Sequence, residues 1–575
     1  ALKGTTIGTV TDATGHYFLK NLPEGNFMME VSSVGYKTVT RSVTLKKGKT
    51  LEENFELEED AIALDGVVVS ANRSETTRRL APTLVNVVDL KLFETTNSST
   101  LSQGLNFQPG VRVETNCQNC GFQQVRINGL DGPYTQILID SRPVFSALSG
   151  VYGLEQIPAS MIERVEVMRG GGSALFGSSA IAGTINIITK EPLRNSGQLS
   201  HTITSIGGSS AFDNNTSLNA SLVTDDHRAG LYIFGQNRHR SGYDYDGDGF
   251  TELPKLKNQT VGFRSYLKTS TYSKLTFEYH HMQEFRRGGD MLDRPPHEAH
   301  IAEQLQHSID GGSLKYDYFS PNEKNRLSVF ASAANTDRDS YYGPGNDPLK
   351  AYGKTTDLTA MGGAQYVHTF DKCLFMPSDL TVGLEYNRDR LKDNMWGYDR
   401  HTDQTVKVYS AFLQNEWKNK HWGILIGGRL DKHNMVDDVI FSPRANLRFN
   451  PMDNINLRLS YSSGFRAPQA FDEDMHIENV GGTVVMIERA KDLKEEKSQS
   501  FSASADMYHR FGAFQTNLLV EGFYTRLTDV FVLGEPFDRG DGVLVKIRSN
   551  GPGAKVMGLT LEGKIAYLSF CLLYT

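Results

Sequence analysis

The feature that most constrains this chain is a strict alternation of apolar and polar residues that begins near Ser196 and recurs almost to the C-terminus. In the stretch NINLRLSYS, the apolar residues from Ile455 to Tyr461 share one face and the polar residues share the other. A two-residue period of this kind predicts β-strands that are apolar on one side only. We expect about sixteen such strands, at 197–206, 214–224, 228–240, 258–270, 273–283, 305–319, 325–335, 355–370, 378–390, 405–418, 421–432, 438–450, 453–464, 496–510, 513–530 and 553–568.

The connections between these strands segregate by length. Short turns at one end of a sheet and long polar loops at the other are the layout of an outer-membrane β-barrel. The sequence has no apolar run of about 18 or more residues, so it encodes no transmembrane helix. Short connections are expected at 225–227, 271–272, 320–324, 419–420, 451–452 and 511–512, and long ones at 241–257, 284–304, 336–354, 391–404, 465–495 and 531–552.

Three shorter regions precede the alternating strands. Residues 1–60 predict a small β-sandwich, 61–73 an extended linker, and 74–193 a compact α/β domain, ahead of the barrel at 194–575. The net charge of −7, from 60 basic and 67 acidic residues, argues against nucleic acid as a partner. We expect the chain to be a fragment, because it begins without Met and its last residues, LSFCLLYT, stop inside a strand-like run.

A glycine-rich stretch, VEVMRGGGSALFGSSAIAGTINIITK, runs from Val165 to Lys190. It is not a phosphate-binding loop, because no Lys followed by Ser or Thr completes a Gly-x4-Gly frame. Glycines at this density permit tight turns and the close approach of a backbone to another surface. A wide barrel has a lumen that its own side chains cannot fill. We therefore expect this stretch to belong to a plug that lies against the barrel wall.

The segment LIDSRPV together with QIPASMIERVEVMRGGGSALFGSSAIAGTINIITK closely resembles the plug domain of TonB-dependent outer-membrane transporters. GFRAPQAFDEDMH resembles the FRAP segment of that family, and residues 1–60 resemble the carboxypeptidase regulatory-like domain. The resemblance covers roughly 64–575 and departs from the family at Gly171, where Pro is common, and at Ala182, where Gly is common. It implies a mainly β fold, namely part of an antiparallel transmembrane barrel of about 22 strands with an α/β plug inside and a small N-terminal β-sandwich.

The resemblance also assigns roles to individual residues. VVVSA lies where the family keeps its TonB box, a segment that pairs with an energising partner by strand addition. Glutamates and arginines of the plug motif are expected to pair with polar wall residues, in partly hydrated ion pairs that are individually weak. The TonB box is expected at Leu64, Asp65, Gly66, Val67, Val68, Val69 and Ser70, and the plug motif at Glu163, Arg164, Glu166, Arg169, Gly170, Gly177, Gly183 and Asn186.

By this resemblance the chain imports a scarce chelate across the cell outer membrane and is not an enzyme, since no bond of the substrate is broken. Substrate would bind between the outer loops and the plug. The TonB–ExbB–ExbD complex would then pull on the TonB box from the periplasmic side, where the N-terminal domain is expected. Outer-membrane lipid surrounds the barrel, no cofactor is required, and a surface lipoprotein is a further candidate partner.

The substrate is less constrained than the mechanism. We expect a ferric siderophore or similar iron complex, with haem or cobalamin as alternatives and a surface receptor that signals without transport as an alternative of another class. In haem-transporting relatives a histidine after the FRAP segment can ligate iron; here the companion Asn-Pro-Asn-Leu-like segment is replaced by ENVGG. The substrate-binding candidates are Tyr134, Arg142, Phe145, His280, His300, Arg466 and His476.

A cysteine pair lies between two predicted plug strands. Cys117 and Cys120 are expected in a loop that faces outside the cell, where nearby thiols tend to oxidise. We expect a disulfide that stiffens the loop, with a pair of soft metal ligands as the alternative.

An acidic stretch, DYDGDGFTE, lies in a predicted outer loop. Asp244, Asp246, Asp248 and Glu252 offer hard oxygen ligands around a glycine turn, as a structural Ca²⁺ site requires. A solvated acidic loop without an ion is an equal alternative.

Overall fold

The structure is a computed structural model in which strands dominate and helices are short. None of the helices within the described residues has the length and apolarity that crossing a bilayer requires. The structure describes residues 1–574 except 13, 21, 34–35, 59–66, 72, 74–75, 118, 120, 144–153, 156, 179, 345–347, 481–482 and 568–569.

The N-terminal region contains an antiparallel hairpin of β1 (Gly25–Val31) and β2 (Val39–Leu45). Within the described part of residues 1–60 it is β-structured as expected. The Thr6 amide donates to the Thr271 carbonyl oxygen at 2.8 Å, so this region contacts a short turn of the large sheet. Its small core consists of Leu2, Phe27, Met29 and Val43.

The plug follows as a mixed α/β unit. Its central sheet has the order β5-β9-β10-β8, in which β10 and β8 are parallel and the other pairs antiparallel, and β6 and β7 form a separate hairpin. The elements are β3 (Val67–Val68), β4 (Thr76–Thr77), a 3₁₀ helix (Arg78–Leu80), β5 (Val85–Asp89), α1 (Leu90–Thr95), α2 (Leu101–Leu105), β6 (Val111–Cys117), β7 (Phe122–Ile127), a 3₁₀ helix (Gly132–Tyr134), β8 (Thr135–Ile139), a 3₁₀ helix (Ala159–Met161), β9 (Ile162–Arg169), α3 (Ser173–Phe176) and β10 (Gly183–Thr189).

Most of the rest of the chain forms one antiparallel sheet, in which the described residues make 17 strands and each strand pairs with the next one of that sheet along the chain. Its elements, with those of the connecting loops, are β11 (Ser196–Ser205), β12 (Phe212–Val223), β13 (Ala229–Arg240), β14 (Lys255–Ser270), β15 (Ser273–Gly289), a 3₁₀ helix (Pro296–Glu298), β16 (Ile301–Phe319), β17 (Asn325–Pro344), a 3₁₀ helix (Pro348–Ala351), β18 (Tyr352–Cys373), β19 (Met376–Met395), a 3₁₀ helix (Trp396–Tyr398), β20 (Arg400–Lys418), β21 (Trp422–His433), β22 (Ile440–Met452), β23 (Ile455–Arg466), α4 (Asp472–Met475), β24 (Glu478–Val480), β25 (Thr483–Arg489), β26 (Glu496–Phe511), β27 (Phe514–Thr528), β28 (Phe531–Leu533), β29 (Phe537–Asp538), β30 (Val543–Asn550), β31 (Ala554–Tyr567) and β32 (Phe570–Tyr574).

All sixteen predicted barrel strands are present, and β32 adds a seventeenth. Connections such as 271–272 and 453–454 are short at one end, which we call the short-turn end, and those at the other, the long-loop end, include 467–495 and 529–553. The loop expected at 391–404 is shorter than predicted, because β19 and β20 continue beyond their expected limits.

The large sheet is apolar outside and polar inside. In β23, Leu457 and Leu459 are 38% and 55% exposed, whereas Asn456 and Arg458 are buried at 0% and 3%. A water-soluble barrel would reverse this arrangement, because its apolar face would be removed from solvent. An apolar outer band and a polar lumen are the arrangement of a barrel in lipid.

The plug lies within the curve of the sheet. The Arg458 guanidinium of β23 donates to the Ala81 carbonyl oxygen of the plug at 3.2 Å. Helix α3 contacts β21, β22 and β23, whereas the plug carboxylate of Asp140 binds Arg264 of β14 at 2.5 Å. Contacts with such distant parts of the sheet place the plug on its concave, polar side.

A second small sheet covers part of the long-loop end. Its order is β24-β25-β30-β28, with β29 also paired to β30. Strands β25 and β30 come from two different loops and pair in parallel from Val484↔Val543. Both loops were predicted as polar connections, so this sheet is a correction. Its apolar side packs with Tyr341, Tyr342 and Met395 of the barrel strands in one core.

Candidate functional site

The described part of the predicted TonB box, Val67–Ser70, is docked on the plug; Leu64, Asp65 and Gly66 lie outside the described residues. Val67–Val68 pairs antiparallel with Thr76–Thr77. The Val69 amide, the Ser70 amide and the Ser70 hydroxyl all donate to Oε2 of Glu166, at 2.9, 2.8 and 2.7 Å. One carboxylate oxygen therefore holds three donors of this segment.

Asn186 is a second anchor for the same segment. Its Nδ2 donates to the Ser70 hydroxyl and to the Ser141 hydroxyl, both at 3.0 Å. Asn186 and Glu166 are directly opposite each other on the paired strands β10 and β9. Both side chains are fully buried. Oε2 of Glu166 is satisfied by the docked segment, whereas Asn186 divides its hydrogen bonds between Ser70 and Ser141.

The four charged residues of the plug motif behave differently from the prediction. Arg169 pairs with Glu521 of β27 at 3.1 Å, and both side chains are at most 2% exposed. Arg164, in contrast, pairs with Glu163 at 2.9 Å and with Glu166 at 3.0 Å, all within strand β9. Among these four residues the structure thus shows a wall ion pair for Arg169 alone, and that pair is buried rather than hydrated.

Glu155 carries a plug–wall charge cluster that sequence reasoning missed. Its carboxylate lies 2.8 Å from Arg286, 3.1 Å from Arg240 and 3.5 Å from Arg238, which all belong to wall strands. Burial alone would raise the pKa of Glu155, but the three guanidinium groups hold it below its usual range. No motif marked this glutamate, because its partners lie on strands far away in sequence.

A further charge group connects the linker to the wall. Arg73 pairs with Glu385 of β19, whose other carboxylate oxygen accepts from Arg429 at 2.7 Å. The Arg73 guanidinium also lies 4.9 Å from the ring centroids of Phe176 and Phe412. Arg73, three residues after the docked segment, is thus fixed to the barrel as well as to the plug.

The motif glycines serve the two purposes expected of them. Gly177 has φ +87° and ψ −157°, a region open essentially to glycine alone. A Cβ atom on Gly171 would lie 2.1 Å from Oγ of Ser462 on the wall, so the backbone approaches the wall too closely for a side chain. Gly170 and Gly183 also have positive φ values, of 82° and 155°.

Tyr134 and Arg466 come together at the long-loop half of the lumen. The Tyr134 hydroxyl donates to Oε1 of Glu496 at 3.0 Å, and the Arg466 guanidinium lies 5.7 Å from the Tyr134 ring centroid. Arg466 also pairs with Glu473 at 3.2 Å. Beside this group, a cavity of about 200 Å³ separates plug residues from the wall, and Phe471 and Glu473 line its edge.

The remaining substrate-binding candidates are dispersed. Arg142 lies 4.6 Å from the Phe330 ring centroid, in the short-turn half of the lumen. His280 lies within strand β15, and the imidazole of His300 is largely exposed, 2.6 Å from Asp290. Phe145 lies outside the described residues. The candidates whose side chains the structure describes therefore do not converge on one pocket.

His476 belongs to a cluster with Cys117 and Glu303. The Cys117 thiol donates to Oε2 of Glu303 at 3.3 Å, and Nε2 of His476 lies 3.4 Å from the same oxygen. Burial alone would lower the pKa of His476, but the Glu303 carboxylate and hydrogen bonds with Cys117 and Glu303 raise it to about 10. Cys120 lies outside the described residues, so the disulfide stays a prediction.

The acidic loop brings three of its four predicted ligands together. Ligand oxygens of Asp244, Asp246 and Glu252 lie within 4.8 Å of one another, and Asp248 is not part of that group. The Asp244 carboxylate accepts from the amides of residues 247 and 249, at 2.7 and 2.9 Å. These hydrogen bonds stabilise the loop by themselves, and the Ca²⁺ site stays a prediction.

Comparison with known proteins places these features in a family. The model of the TonB dependent receptor-like beta-barrel matches residues 183–574, that of the TonB-dependent receptor plug domain matches 77–184, and that of the CarboxypepD_reg-like domain matches 1–69. The vitamin B12 transporter BtuB of Vibrio vulnificus strain CMCP6 is 37% identical over 125 residues, 22% of this chain and 20% of that protein. BtuB of strain YJ016 is 28% identical over 237 residues, 36% of this chain and 39% of that protein. The matches thus span well under two thirds of either relative.

Solved structures share the fold at low sequence identity. The siderophore receptor PirA from Acinetobacter baumannii is 19% identical, with a TM-score of 0.70 over 85% of this chain and 78% of that one. A variant of the ferric enterobactin receptor PfeA from Pseudomonas aeruginosa is 17% identical, with a TM-score of 0.68 over 85% of this chain and 78% of that one. The alcaligin outer membrane receptor FauA from Bordetella pertussis is 15% identical, with a TM-score of 0.63 over 87% of this chain and 80% of that one. At such identities the likeness concerns the fold alone.

Proposed function

Because the chain belongs to the TonB-dependent receptor family, a family of receptors and not of enzymes, we propose that it imports a scarce metal chelate across the outer membrane. The observation that carries this proposal is the docking of Val67–Ser70 on Glu166 of a plug that lies on the concave side of the barrel sheet. The docked segment is short and extended, so a partner strand could add to it once it is released.

The plug–wall contacts support a transport cycle driven by force. The plug is held by buried ion pairs such as Arg169–Glu521 and by wall hydrogen bonds such as that from Arg458 to the Ala81 carbonyl oxygen. Its core also includes apolar wall residues, namely Tyr232, Phe234 and Leu527. Removing one partner of a buried pair costs several kcal/mol, roughly 3–5 by general experience. Displacement of one plug element would therefore release its neighbours in steps.

The proposed substrate is a ferric siderophore or similar iron complex. The fold likeness includes structures titled as siderophore receptors, and the curated relatives are named vitamin B12 transporters. Cobalamin is therefore the first alternative and haem the second. The pair Tyr134–Arg466, beside the cavity of about 200 Å³, is the proposed contact region for an anionic chelate.

The proposal also fixes orientation and partners. The long-loop end faces the cell exterior, and the N-terminal hairpin, which contacts a short turn, faces the periplasm. The TonB–ExbB–ExbD complex supplies energy at the TonB box, lipid surrounds the apolar outer band, and transport requires no cofactor. A surface lipoprotein would contact the long loops.

Deleting Val67–Ser70 from the full-length protein tests the proposal. Binding and uptake of labelled ferric enterobactin, ferric alcaligin, haem and cobalamin would be measured in cells that lack their own receptors. Deletion of Lys46–Lys49, a turn in the N-terminal hairpin region, is the matched control. We expect the deletion of Val67–Ser70 to retain binding and abolish uptake, and the control to retain both.

Unchanged uptake after that deletion would contradict TonB-driven transport. Binding without uptake in the unaltered protein would indicate a surface receptor of another class. Binding of none of the four probes would contradict the proposed substrate class.

A further inference from the structure

Three metal-ligating side chains from three separate elements meet at the long-loop end. Cys117 ends β6 at the tip of the plug hairpin, Glu303 lies near the start of β16, and His476 follows α4 in the loop after β23. The Sγ, carboxylate oxygen and imidazole nitrogen atoms all lie within 4.8 Å of one another. The cluster therefore joins the plug, the wall and an outer loop.

The distances fit one small cation. Zinc binds sulfur at about 2.3 Å and imidazole nitrogen or carboxylate oxygen at about 2.0 Å, which places tetrahedral ligands about 3.3–3.5 Å apart. The observed separations from Oε2 of Glu303 are 3.3 Å to Sγ of Cys117 and 3.4 Å to Nε2 of His476. An ion could enter with only small movements of these atoms.

The donor set selects among metals. A thiol and an imidazole favour zinc and its transition-metal neighbours, whereas Ca²⁺ and Mg²⁺ require oxygen ligands. The Glu303 side chain is 3% exposed and that of His476 is 15% exposed, so water has little access to the site. The negative charges of the Glu303 carboxylate and the Cys117 thiolate would there balance the charge of a bound cation. The Tyr342 ring lies edge-on to His476, with 5.4 Å between centroids, and restrains the imidazole.

The number of ligands leaves room for one more. Structural zinc sites are closed by four protein ligands, whereas three protein ligands leave a position for an exogenous donor. The described residues supply three. The fourth position could take water or a donor atom from a chelate.

We propose that Cys117, Glu303 and His476 form a binding site for a single divalent ion of the zinc class, in which Cys117 is a thiolate and therefore not part of the disulfide expected with Cys120. Among the described residues, these three ligands leave one position of a tetrahedral ion open to an external ligand. Bound there, the ion ties the plug hairpin to the outer loop. The site is proposed for the ion alone and does not depend on import, so failure of transport would leave it standing.

Cobalt titration of the purified full-length protein in detergent tests this site. Co²⁺ reports a bound thiolate by charge-transfer absorption in the near ultraviolet, and competition with Zn²⁺ gives the zinc affinity. We expect one ion per chain. We expect Cys117→Ser to abolish the absorption and to weaken zinc binding at least about 100-fold, since even outer hydrogen-bond partners of metal ligands change affinity roughly 10–100-fold.

Glu303→Gln and His476→Gln keep the shape of the cluster and are expected to weaken binding similarly, with folding checked by heat modifiability on gels. Cys373→Ser, which alters a cysteine of the short-turn end, is the matched control and should bind as the unaltered protein does. No cobalt–thiolate absorption in the unaltered protein, or full binding by Cys117→Ser, would overturn the proposal. A second arm adds azide, which supplies one donor atom, to the Co²⁺-loaded protein. A shift of the visible Co²⁺ absorption bands is expected if the open position takes an external ligand, and unchanged bands at saturating azide would refute that part.

Discussion

Glu166→Gln should release the docked segment without unfolding the plug. The carboxylate accepts three hydrogen bonds from Val69 and Ser70 on Oε2, and Arg164 donates to Oε1 at 3.0 Å. A glutamine has the same shape but no charge, and it offers only one oxygen. If that oxygen faces the segment, the amide NH₂ faces the Arg164 guanidinium. Both groups are then hydrogen-bond donors, so no hydrogen bond forms between them.

The size of the effect follows from the number of bonds. A hydrogen bond to a charged group contributes about 1.5–3 kcal/mol, and a neutral one about 0.5–1.5 kcal/mol. Neutralising the acceptor of three bonds therefore costs docking about 3 kcal/mol. That free energy changes the ratio of docked to released segment by roughly 150-fold.

Hydrogen exchange at the amides of Val69 and Ser70 measures this ratio directly, because exchange at a buried amide requires opening. In the full-length protein in detergent, Glu166→Gln should accelerate exchange at these amides by roughly 100-fold. Glu163→Gln is the control, because Glu163 pairs with the same arginine, at 2.9 Å, but does not contact the segment. Equal protection in Glu166→Gln and the unaltered protein would refute the reasoning.

Three further predictions concern the seam between plug and wall. Arg169→Met should destabilise the plug by roughly 3–5 kcal/mol in urea titrations that follow plug tryptic cleavage, and the double change with Glu521→Met should recover most of that loss, because no unpaired charge remains buried. Burial would raise the pKa of Asp140, but a wall guanidinium and hydrogen bonds from the plug outweigh it and hold the pKa at about 2. Plug retention should therefore be constant above about pH 4, the ordinary pKa of an aspartate, and should fall as the pH approaches 2. The difference in plug retention between the unaltered protein and Asp140→Asn should vanish at about pH 2. Gly177→Ala should cost about 1–3 kcal/mol of plug stability, because only glycine tolerates its backbone conformation, whereas Gly197→Ala, with no heavy atom near the added Cβ, should be neutral by the same assay.

The barrel strands were predictable because their physical signal is local. In β23, a period of two places Leu457 and Leu459 on the lipid face and Arg458 in the lumen, and that pattern exists before any contact forms. Strand ends at the short turns follow from turn residues in the same way. At the long-loop end the strands extend further than predicted. Their side chains there are mostly polar, so the sequence shows no alternation of apolar and polar residues in these parts of the strands.

The sheet over the long-loop end could not be assigned from the sequence. The apolar runs TVVMIER and GVLVKIRS were visible, but they lie in loops about sixty residues apart. Their parallel pairing depends on the barrel bringing Val484 and Val543 together. Non-local pairings of this kind are set by tertiary structure rather than by propensity.

The candidate site was only partly predictable, for the same reason. The sequence identified Glu166 and Asn186 as plug-motif residues and Ser70 as part of the TonB box. It did not predict that Ser70 binds both of them. Glu155 and Glu303 carried no signal, because their roles come from arginines on distant strands and from a cysteine 186 residues away. Chemistry assembled across long separations becomes visible only in the folded chain.

The most direct test of the central claim is a reversible tether between plug and wall. Thr83 of the plug and Asn446 of the wall are in contact, with 3.2 Å between Oγ1 and Nδ2, so cysteines at both positions should be joined by a short, reducible bis-methanethiosulfonate reagent. We expect the cross-linked protein to bind its chelate, to import none of it, and to resume import after reduction, with each single cysteine variant unaffected. Absence of the cross-link, or undiminished import through the tethered protein, would contradict a mobile plug inside the barrel.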